Sequence, residues 1–397
     1  MARKYNDAAT LLYNTISTGL ADVASLFGTT SASQATTTCE KLRHQLGPSL
    51  IIIVAAEVAE IVVVLVDDDV LFAIRSGGHS PMPFDASIDF GVCISLENLY
   101  KVSYDADTEL ASLGSGARWG AVYTELDKYN VTVVGGRIMD VGVGGLTLES
   151  GLSYLIDLYG LVCDNVVNYE ISNLVSTDNT GGSNNFGFVT RFDTKTYSLV
   201  ECWGGIQVFT PDQTPALLKA FHAYQTAPNK DPCANMIINL VPINGTTMLT
   251  FVYLKPVERP AAFAPFYALT PVFEQTGFLT LHQLMALFPL APLPRLTCAD
   301  SVRAGRASNG GVENALGLQA VDQTWWSVSV SWGDAADDAA ASMADKIGAA
   351  AAAAGAKLDY IFMNDAYSNQ SVIASYGEIN VRRLRDVQKV YDSDLVF

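Results

Sequence analysis

The order of hydrophobic and polar residues near the start of the chain predicts two parallel strands joined by a helix. Residues 51–54 predict a short buried strand, 55–69 a helix that ends at three aspartates, and 71–75 a second strand. Together these elements form the pattern of a βαβ unit. The chain leaves the unit through a turn that reads "RSGGHS".

Short β-rich segments and one amphipathic helix follow between residues 90 and 130. The segments "VCISL", "KVSY" and "ELASLGSGA" are separated by turn residues and predict strands. The next stretch, "WGAVYTELDKYN", has helical spacing that places Trp119, Val122 and Leu126 on one face. A segment dense in glycine occupies residues 135–151.

The second half of the chain has a different texture, which predicts a second domain of α+β type. Between residues 206 and 335, β-rich pieces such as "MLTFVYLKP" and "WWSVSVSWG" alternate with helical ones such as "TPALLKAFHAYQTA". Residues 335–356 are rich in alanine and favour a helix. The segment that closes the chain predicts an amphipathic helix and a tail.

Composition and charge argue against a nucleic-acid-binding protein and against a membrane-spanning one. With 397 residues, 49% of them hydrophobic, the chain is long enough for a large core and two domains. A formal net charge of −17 argues against nucleic acid as a partner. The most apolar run carries Glu57 and Glu60, so it indicates buried core and no membrane span. The N-terminus resembles a secretory signal only weakly, which leaves both a secreted and a cytoplasmic location open.

Six cysteines are scattered along the chain without zinc-type spacing, so no metal site is predicted. In a secreted protein they could form disulfides, and three Asn-X-Ser/Thr sequons could carry glycans. Their pairing is left open.

The glycine-rich segments indicate a ligand that is held by backbone groups. A Gly-Gly turn after a strand can direct consecutive N–H groups toward an anion, since glycine accepts positive φ and lacks a Cβ. An isolated Gly-Gly is more often a tight surface turn. Here "GVGGL" and "GGSNNFG" follow within about 110 residues, and several such segments favour a long ligand with a pyrophosphate.

These motifs together resemble a known family. "RSGGHS", "GGRIMDVGVGGLTLESG", "GLVCDNVVNYE", "NNFGFVTRF" and the closing "ASYGEINVRRLRDVQKVYDSDLVF" are similar to the vanillyl-alcohol-oxidase superfamily of flavoproteins, in its fungal berberine-bridge-enzyme-like branch. The resemblance implies an α+β fold, with a two-lobed PCMH-type FAD-binding domain and a substrate domain built on an antiparallel sheet covered by helices. The implied domains are residues 1–203, 204–356 and a C-terminal return to the FAD-binding domain, 357–397.

The resemblance implies FAD, bound covalently through one histidine. His79 matches the residue that bonds to the flavin 8α-methyl, and Ile138 stands where many members have a second, cysteine tether. Val141 matches a position whose small residue lets O2 reach the flavin in oxidases, and Leu146 replaces a histidine of the plant members. The implied FAD-binding residues are Arg75, Ser76, Gly77, Gly78, His79, Ser80, Gly136, Asp140, Val141, Gly142, Gly144, Gly145, Thr147, Gly151, Asp164, Asn165, Gly187, Val189 and Asn364.

The chain also departs from the family pattern. Glu149-Ser150-Gly151 replaces a run of three glycines, which adds bulk and charge near the expected diphosphate. The blocks near residues 46–51 and 170–181 are shorter than in the family. They are either true deletions or loops left out of the sequence.

By resemblance, the chemistry is oxidation of a small organic, alcohol-type secondary metabolite, with hydride transfer to flavin N5 and then to O2. The family motif Y-x-N-Y corresponds here to "FMND", so Asn364 is kept and Asp365 replaces the tyrosine. Asp365 could serve as general base if burial raises its pKa, or it could be a solvated carboxylate. Tyr367 and Tyr123 are further candidates.

Two rival functions remain at this level. A pericyclase of the same fold would keep FAD in a structural role and use an apolar cleft, for which "FEQTGFLTLHQLMALFPLAPLP" is a candidate wall. A binding protein without catalysis would contain no flavin.

Overall fold

The computed structural model describes residues 50–53, 62, 71–80, 85–86, 88, 92–171, 174–176, 186–198, 201–240, 246–287, 295–297, 307, 316, 318, 323–325, 334–366 and 370–392. The chain divides into two compact units, residues 1–96 and 97–397.

The first unit contains a small parallel sheet. Its strands are β1 (Leu50–Ile53), β2 (Phe72–Arg75) and β3 (Val92–Ser95), in the order β1-β3-β2. The two predicted strands are confirmed, but β3 lies between them, so β1 and β2 are not direct neighbours. The predicted helix over 55–69 lies outside the described residues except for Val62, which is helical and buried.

The second unit begins with an antiparallel sheet. Its strands are β4 (Val102–Asp105), β5 (Leu110–Gly114), β6 (Val131–Val133), β7 (Val166–Ile171), β8 (Leu174–Ser176) and β9 (Val189–Ser198). The order is β4-β5-β9-β7-β8, and β6 pairs with the far end of β9. The three β-rich segments predicted between residues 90 and 120 are confirmed. They form β3 of the first sheet and β4 and β5 of this one.

A polar cluster around Asp193 on β9 links the three central strands β5, β9 and β7 of this sheet. The carboxylate of Asp193 accepts hydrogen bonds from Ser112 Oγ at 2.6 Å and Asn168 Nδ2 at 2.8 Å, and it pairs with Arg191 Nε at 2.9 Å. Burial alone would raise the pKa of Asp193, but these hydrogen bonds and the arginine charge outweigh burial and leave that pKa below its ordinary value.

Three short helices pack around the first sheet of this unit. They are α1 (Trp119–Leu126), α2 (Val143–Leu148) and α3 (Ile156–Tyr159). The predicted apolar face of α1 is confirmed, because Trp119, Val122 and Leu126 are fully buried.

A second antiparallel sheet follows in the same unit. Its strands are β10 (Glu201–Phe209), β11 (Ala234–Leu240), β12 (Thr247–Tyr253) and β13 (Phe273–Thr280), in the order β11-β12-β10-β13. Two helices accompany them, α4 (Thr214–Gln225) and α5 (Leu281–Ala286). One face is covered by aromatic packing, in which Trp203 and Phe251 contact Phe263 of a 3-10 helix.

The rest of the unit contains the pair β14 (Arg295–Thr297) and β15 (Gln323–Trp325) and the helices α6 (Asp334–Ala353) and α7 (Glu378–Tyr391). Both helices were predicted and are confirmed. A second hydrophobic cluster joins Phe362, Tyr376 and Leu384 to Leu152 and Leu161. The C-terminal segment therefore packs against the loop around α3. None of the described helices has the length and apolar character needed to cross a membrane.

Candidate functional site

The "RSGGHS" turn of the first unit has the backbone geometry that its glycines suggest. Gly78 adopts φ +63°, in the left-handed region, and a Cβ there would lie 3.3 Å from Arg75 Cδ. Arg75 Nε donates to the carbonyl of Ala86 at 2.7 Å, so its side chain folds across the turn. His79 is exposed. The turn thus presents an imidazole to solvent.

The remaining residues of this turn differ in exposure. Ser80 is exposed and donates to the carboxylate of Asp85 at 2.6 Å. Ser76 and Gly77 are half-buried. The described geometry therefore leaves the end of the turn, from Gly78 to Ser80, as its most accessible part.

In the second unit, the first glycine pair is pressed against α1. A Cβ on Gly136 would lie 2.4 Å from Trp119 Cδ1, and one on Gly135 would lie 2.5 Å from the Tyr123 hydroxyl oxygen. Tyr123 donates to the carbonyl of Gly136 at 2.8 Å. Burial raises the pKa of Tyr123 far above its ordinary value, so this phenol is a structural donor of the core.

The loop that carries Val141 is tied to the start of α1. Trp119 N donates to the carbonyl of Val141 at 3.1 Å, and Gly120 N donates to that of Met139 at 2.8 Å. Asp140 is exposed and pairs with Arg118 at 3.1 Å. Val141 is half-buried and packs against the main core. These bonds fix the loop through its backbone and through Asp140, and none of them involves the Val141 side chain.

The glycines of α2 create an accessible backbone surface. Gly142 precedes the helix in extended conformation, and Gly144 is buried. Gly145 is exposed, and a Cβ there would meet no described heavy atom within 4 Å. Thr147 is buried, and its hydroxyl has no hydrogen-bond partner among the described residues. A ligand could satisfy this hydroxyl.

The turn after α2 is held by a residue from the C-terminal segment. Asn364 Oδ1 accepts from Gly151 N at 3.1 Å, and Asn364 Nδ2 donates to Leu146 O at 3.4 Å and Glu149 Oε2 at 3.2 Å. The structure therefore brings Asn364 and Gly151, both predicted site residues, into direct contact. We call these three bonds the Asn364 latch.

Two consecutive positive φ angles shape this turn. Gly151 adopts φ +72°, and a Cβ there would lie 2.5 Å from Leu146 Cδ2. Ser150 adopts φ +96° although it carries a Cβ, and it is fully buried. Its backbone is therefore strained, at the position where the family pattern has glycine.

Asp164 and Asn165 are buried and already bonded inside the protein. Asp164 Oδ2 accepts from Leu161 N at 3.0 Å. Asn165 Nδ2 donates to the carbonyls of Tyr159 and Leu161, and its Oδ1 accepts from Tyr197 Oη at 2.5 Å. Their side chains therefore order the loop after α3, whereas a direct role toward FAD stays a prediction.

Gly187 and Val189 lie at the start of β9. Gly187 adopts φ +126°, and a Cβ there would lie 3.1 Å from Ile171 Cγ2. Val189 is buried and pairs with Ile171. The close approach of β7 explains the glycine without a ligand.

The three candidates for the general base differ in their surroundings. Asp365 ends a 3-10 helix, Met363–Asp365, and is exposed, so the burial that the base hypothesis requires is not seen. Tyr367 lies outside the described residues. Tyr123 is committed to the core, as described above. Their catalytic roles remain predictions.

Three contacts were not predicted from the sequence. Arg118 fixes the Val141 loop through Asp140, and the Glu149 carboxylate takes part in the Asn364 latch. His282, which has no sequence context for a special role, has its Nδ1 2.6 Å from Asp127 Oδ2. Of the residues in these contacts, the sequence marked only Glu149 as unusual, because it replaces a glycine of the family motif. The four described cysteines, Cys93, Cys163, Cys202 and Cys233, are free and buried.

The segments described above are also the ones in which the chain resembles known proteins. Residues 53–173 match the family model of the FAD binding domain. An FAD-dependent monooxygenase from Arthrobotrys oligospora is 34% identical over 404 residues, covering 86% of this chain and 78% of that protein. The bifunctional solanapyrone synthase from Alternaria solani is 30% identical over 388 residues, covering 82% of this chain and 75% of the relative.

Solved structures share the fold. The BBE-like 1 protein of Physcomitrella patens superposes with a TM-score of 0.69 at 16% identity, covering 88% of this chain and 89% of that one. Glucooligosaccharide oxidase from Acremonium strictum, described with a 6-S-cysteinyl, 8α-N1-histidyl FAD, gives a TM-score of 0.65 at 16% identity, covering 88% and 90%. At this identity the similarity establishes the α+β fold of these flavoproteins, as predicted.

Proposed function

Because this chain belongs to the family of fungal FAD-dependent monooxygenases and related FAD-linked oxidoreductases, we propose that it oxidises a small, alcohol-type organic molecule with O2 as electron acceptor. The observation that carries the proposal is that a relative named an FAD-dependent monooxygenase, an enzyme class that uses flavin and O2, aligns with 86% of the chain. The balanced reaction converts an alcohol and O2 into a carbonyl compound and H2O2. When bound, FAD would supply the acceptor for the hydride and the donor of electrons to O2.

Residues of the second unit fit a cofactor that is bound through backbone groups. Gly145 leaves its backbone uncovered, and the buried Thr147 hydroxyl lacks a partner among the described side chains. The Asn364 latch holds the following turn in one conformation. We expect Gly145 and Thr147 to contact FAD, and Asn364 to position the turn that does so.

In the first unit, His79 is the residue proposed to bond to the flavin. Its ring is exposed, at the accessible end of a turn shaped by the left-handed Gly78. Ile138 offers no nucleophile, so a single covalent bond is expected. Flavin fluorescence should migrate with the denatured polypeptide in a gel and disappear in His79→Ala. His222→Ala, which removes another histidine, is the matched control and should keep the fluorescence.

Asp365 is proposed to remove the hydroxyl proton of the substrate. Asp365 stands at the tyrosine position of the family motif, and Tyr123, another candidate, is held in the core by its bond to Gly136. If Asp365 is the base, Asp365→Asn should lower the rate of flavin reduction by about 10²–10⁴ with little change in substrate affinity. An unchanged rate in Asp365→Asn would remove Asp365 from the mechanism.

The oxidase proposal is tested by mixing the holoenzyme anaerobically with a panel of neutral primary and secondary alcohols. At least one should bleach the oxidised flavin spectrum, and admission of O2 should then yield one H2O2 per carbonyl product. Bleaching by none of them, together with conversion of a polyene without oxygen uptake, would contradict it.

The exposure of Asp365 also favours a second candidate, a pericyclase in which FAD is structural. One relative is named a bifunctional synthase, so monooxygenase is not the only activity named in the family. The anaerobic experiment separates the two, since a pericyclase forms product while its flavin stays oxidised.

A further inference from the structure

The turn that carries His79 is tied at both of its ends to one pair of consecutive residues, Asp85 and Ala86. At the start of the turn, Arg75 Nε donates to the carbonyl of Ala86 at 2.7 Å. At its end, Ser80 Oγ donates to Asp85 Oδ2 at 2.6 Å. We call these two hydrogen bonds the Asp85–Ala86 brace. They join both ends of the turn to the same point of the chain, and His79 lies between those ends.

The start of the turn is also fixed to the small parallel sheet. Arg75 is the last residue of β2, and its carbonyl accepts from Leu96 N at 2.8 Å. Gly78 lies against the stem of the Arg75 side chain, because a Cβ on Gly78 would lie 3.3 Å from Arg75 Cδ. The residue before His79 is therefore held by packing, and the residue after it is held by Asp85.

The hydrogen bond from Ser80 to Asp85 has the length of a charge-assisted bond. An O–H group that donates to a carboxylate lies about 2.5–2.7 Å from the acceptor, and such bonds are roughly twice as strong as neutral ones. Both side chains are exposed, so water competes for the same groups. The bond is thus strong enough to favour one position of Ser80, but its loss would leave the sheet intact.

Covalent attachment of FAD, as proposed above for His79, places a strict demand on the position of the imidazole. It forms a bond between a ring nitrogen of His79 and the flavin 8α carbon, and it breaks one C–H bond of the 8α-methyl group and the imidazole N–H bond. The two protons and two electrons that are released convert O2 to H2O2, with the flavin as electron carrier. Reacting atoms must approach to about 3–3.5 Å, and a displacement of about 1 Å can slow a reaction about 100-fold.

We propose that Asp85 is a positioning residue for this attachment. By holding Ser80, Asp85 fixes the backbone on the C-terminal side of His79, so that the imidazole is directed toward the 8α carbon. The brace contacts the ends of the turn and leaves the His79 side chain exposed for the reaction. The inference rests on the proposed function, because it concerns the covalent bond to FAD that is proposed there.

The test measures the rate of attachment in the full-length protein, produced under riboflavin limitation and then mixed with excess FAD in air. Covalent flavin is followed over time by the fluorescence of the denatured polypeptide in a gel. Asp85→Ala and Ser80→Ala should each slow attachment by about tenfold, the effect of one lost hydrogen bond to a carboxylate. Because both remove the same bond, the double variant should be no slower than either single variant.

Conservative variants and a control separate positioning from other roles. Asp85→Asn keeps an acceptor and Ser80→Thr keeps a donor, so both should attach FAD at close to the wild-type rate. Asp107→Ala removes an exposed carboxylate from another turn and should not change the rate. In a His79→Ala background, where no covalent bond forms, Asp85→Ala should leave the affinity for FAD unchanged. A merely structural role of Asp85 would instead weaken that affinity.

Four results would overturn the proposal: an unchanged rate in Asp85→Ala, a double variant slowed by the product of the two single effects, Asp85→Asn as slow as Asp85→Ala, or a loss of FAD affinity as large as the loss of rate. The third result would mean that Asp85 acts through its charge. Wild-type protein without covalent flavin would contradict the attachment through His79 and the role of Asp85 with it. Failure of the oxidase proposal is distinct, because it shows as attached flavin that no alcohol reduces.

Discussion

The Asn364 latch allows a quantitative test of how the C-terminal segment holds the turn after α2. In Asn364→Asp, the side chain can still accept from Gly151 N, but it can no longer donate to Leu146 O or to Glu149. It also places a second carboxylate where an amide stood 3.2 Å from Glu149 Oε2. The variant therefore combines lost hydrogen bonds with a new repulsion.

The size of each effect follows from the geometry. Two lost hydrogen bonds cost about 1 kcal/mol each. Two unit charges at this separation repel by roughly 5 kcal/mol at an effective dielectric constant of 20. Because Asn364 and Glu149 are half-exposed, solvent and salt reduce this repulsion to about 1–2 kcal/mol. We expect Asn364→Asp to lower the free energy of unfolding by about 3–4 kcal/mol.

The assay is urea unfolding at neutral pH, with a double-mutant cycle. In a Glu149→Gln background the repulsion is absent, so Asn364→Asp should cost about 1–2 kcal/mol less than in wild type. Asn229→Asp is the matched control, since it adds the same charge at an exposed turn position and should change stability by less than about 0.5 kcal/mol. Equal costs of Asn364→Asp in both backgrounds would refute the contact between Asn364 and Glu149.

Three further predictions follow from the second unit. Ser150→Gly should raise the free energy of unfolding by about 0.5–1 kcal/mol, because it relieves the strain at φ +96°; a lower value in urea unfolding would mean that Ser150 is not strained. Val141→Leu should slow flavin reoxidation by O2 while leaving anaerobic reduction unchanged, and stopped-flow spectra that show equal reoxidation would reject Val141 as the oxygen gate. The pKa of Asp193 is lower in the folded than in the unfolded chain, so its contribution to stability is present above about pH 4 and is lost as pH falls through the folded-state pKa. Acid unfolding of Asp193→Asn should therefore depend less on pH in that window than wild type.

Local patterns were sufficient to predict about half of the described strands and helices. The strands β1 and β2, the buried face of α1 and the helices α4, α6 and α7 follow from hydrophobic periodicity and helix propensity. These signals depend on residues that are close in sequence. The position of β3 between β1 and β2 was missed because strand order depends on long-range pairing, which periodicity does not encode.

In the candidate site too, local features could be predicted from the sequence and long-range contacts could not. The glycine-rich turns were recognisable, since positive φ at Gly78 and Gly151 demands glycine locally. The bonds from Asn364 to residues 146–151 were not, because they join positions more than 200 residues apart in sequence.

Whether the protein is an FAD-dependent oxidase can be decided by the reaction of its reduced flavin with O2. The holoenzyme is reduced anaerobically by light and then mixed with oxygenated buffer in a stopped-flow instrument, with H2O2 determined in the same samples. We expect reoxidation much faster than that of free reduced flavin, with one H2O2 formed per flavin. Reoxidation no faster than that of free flavin would contradict it.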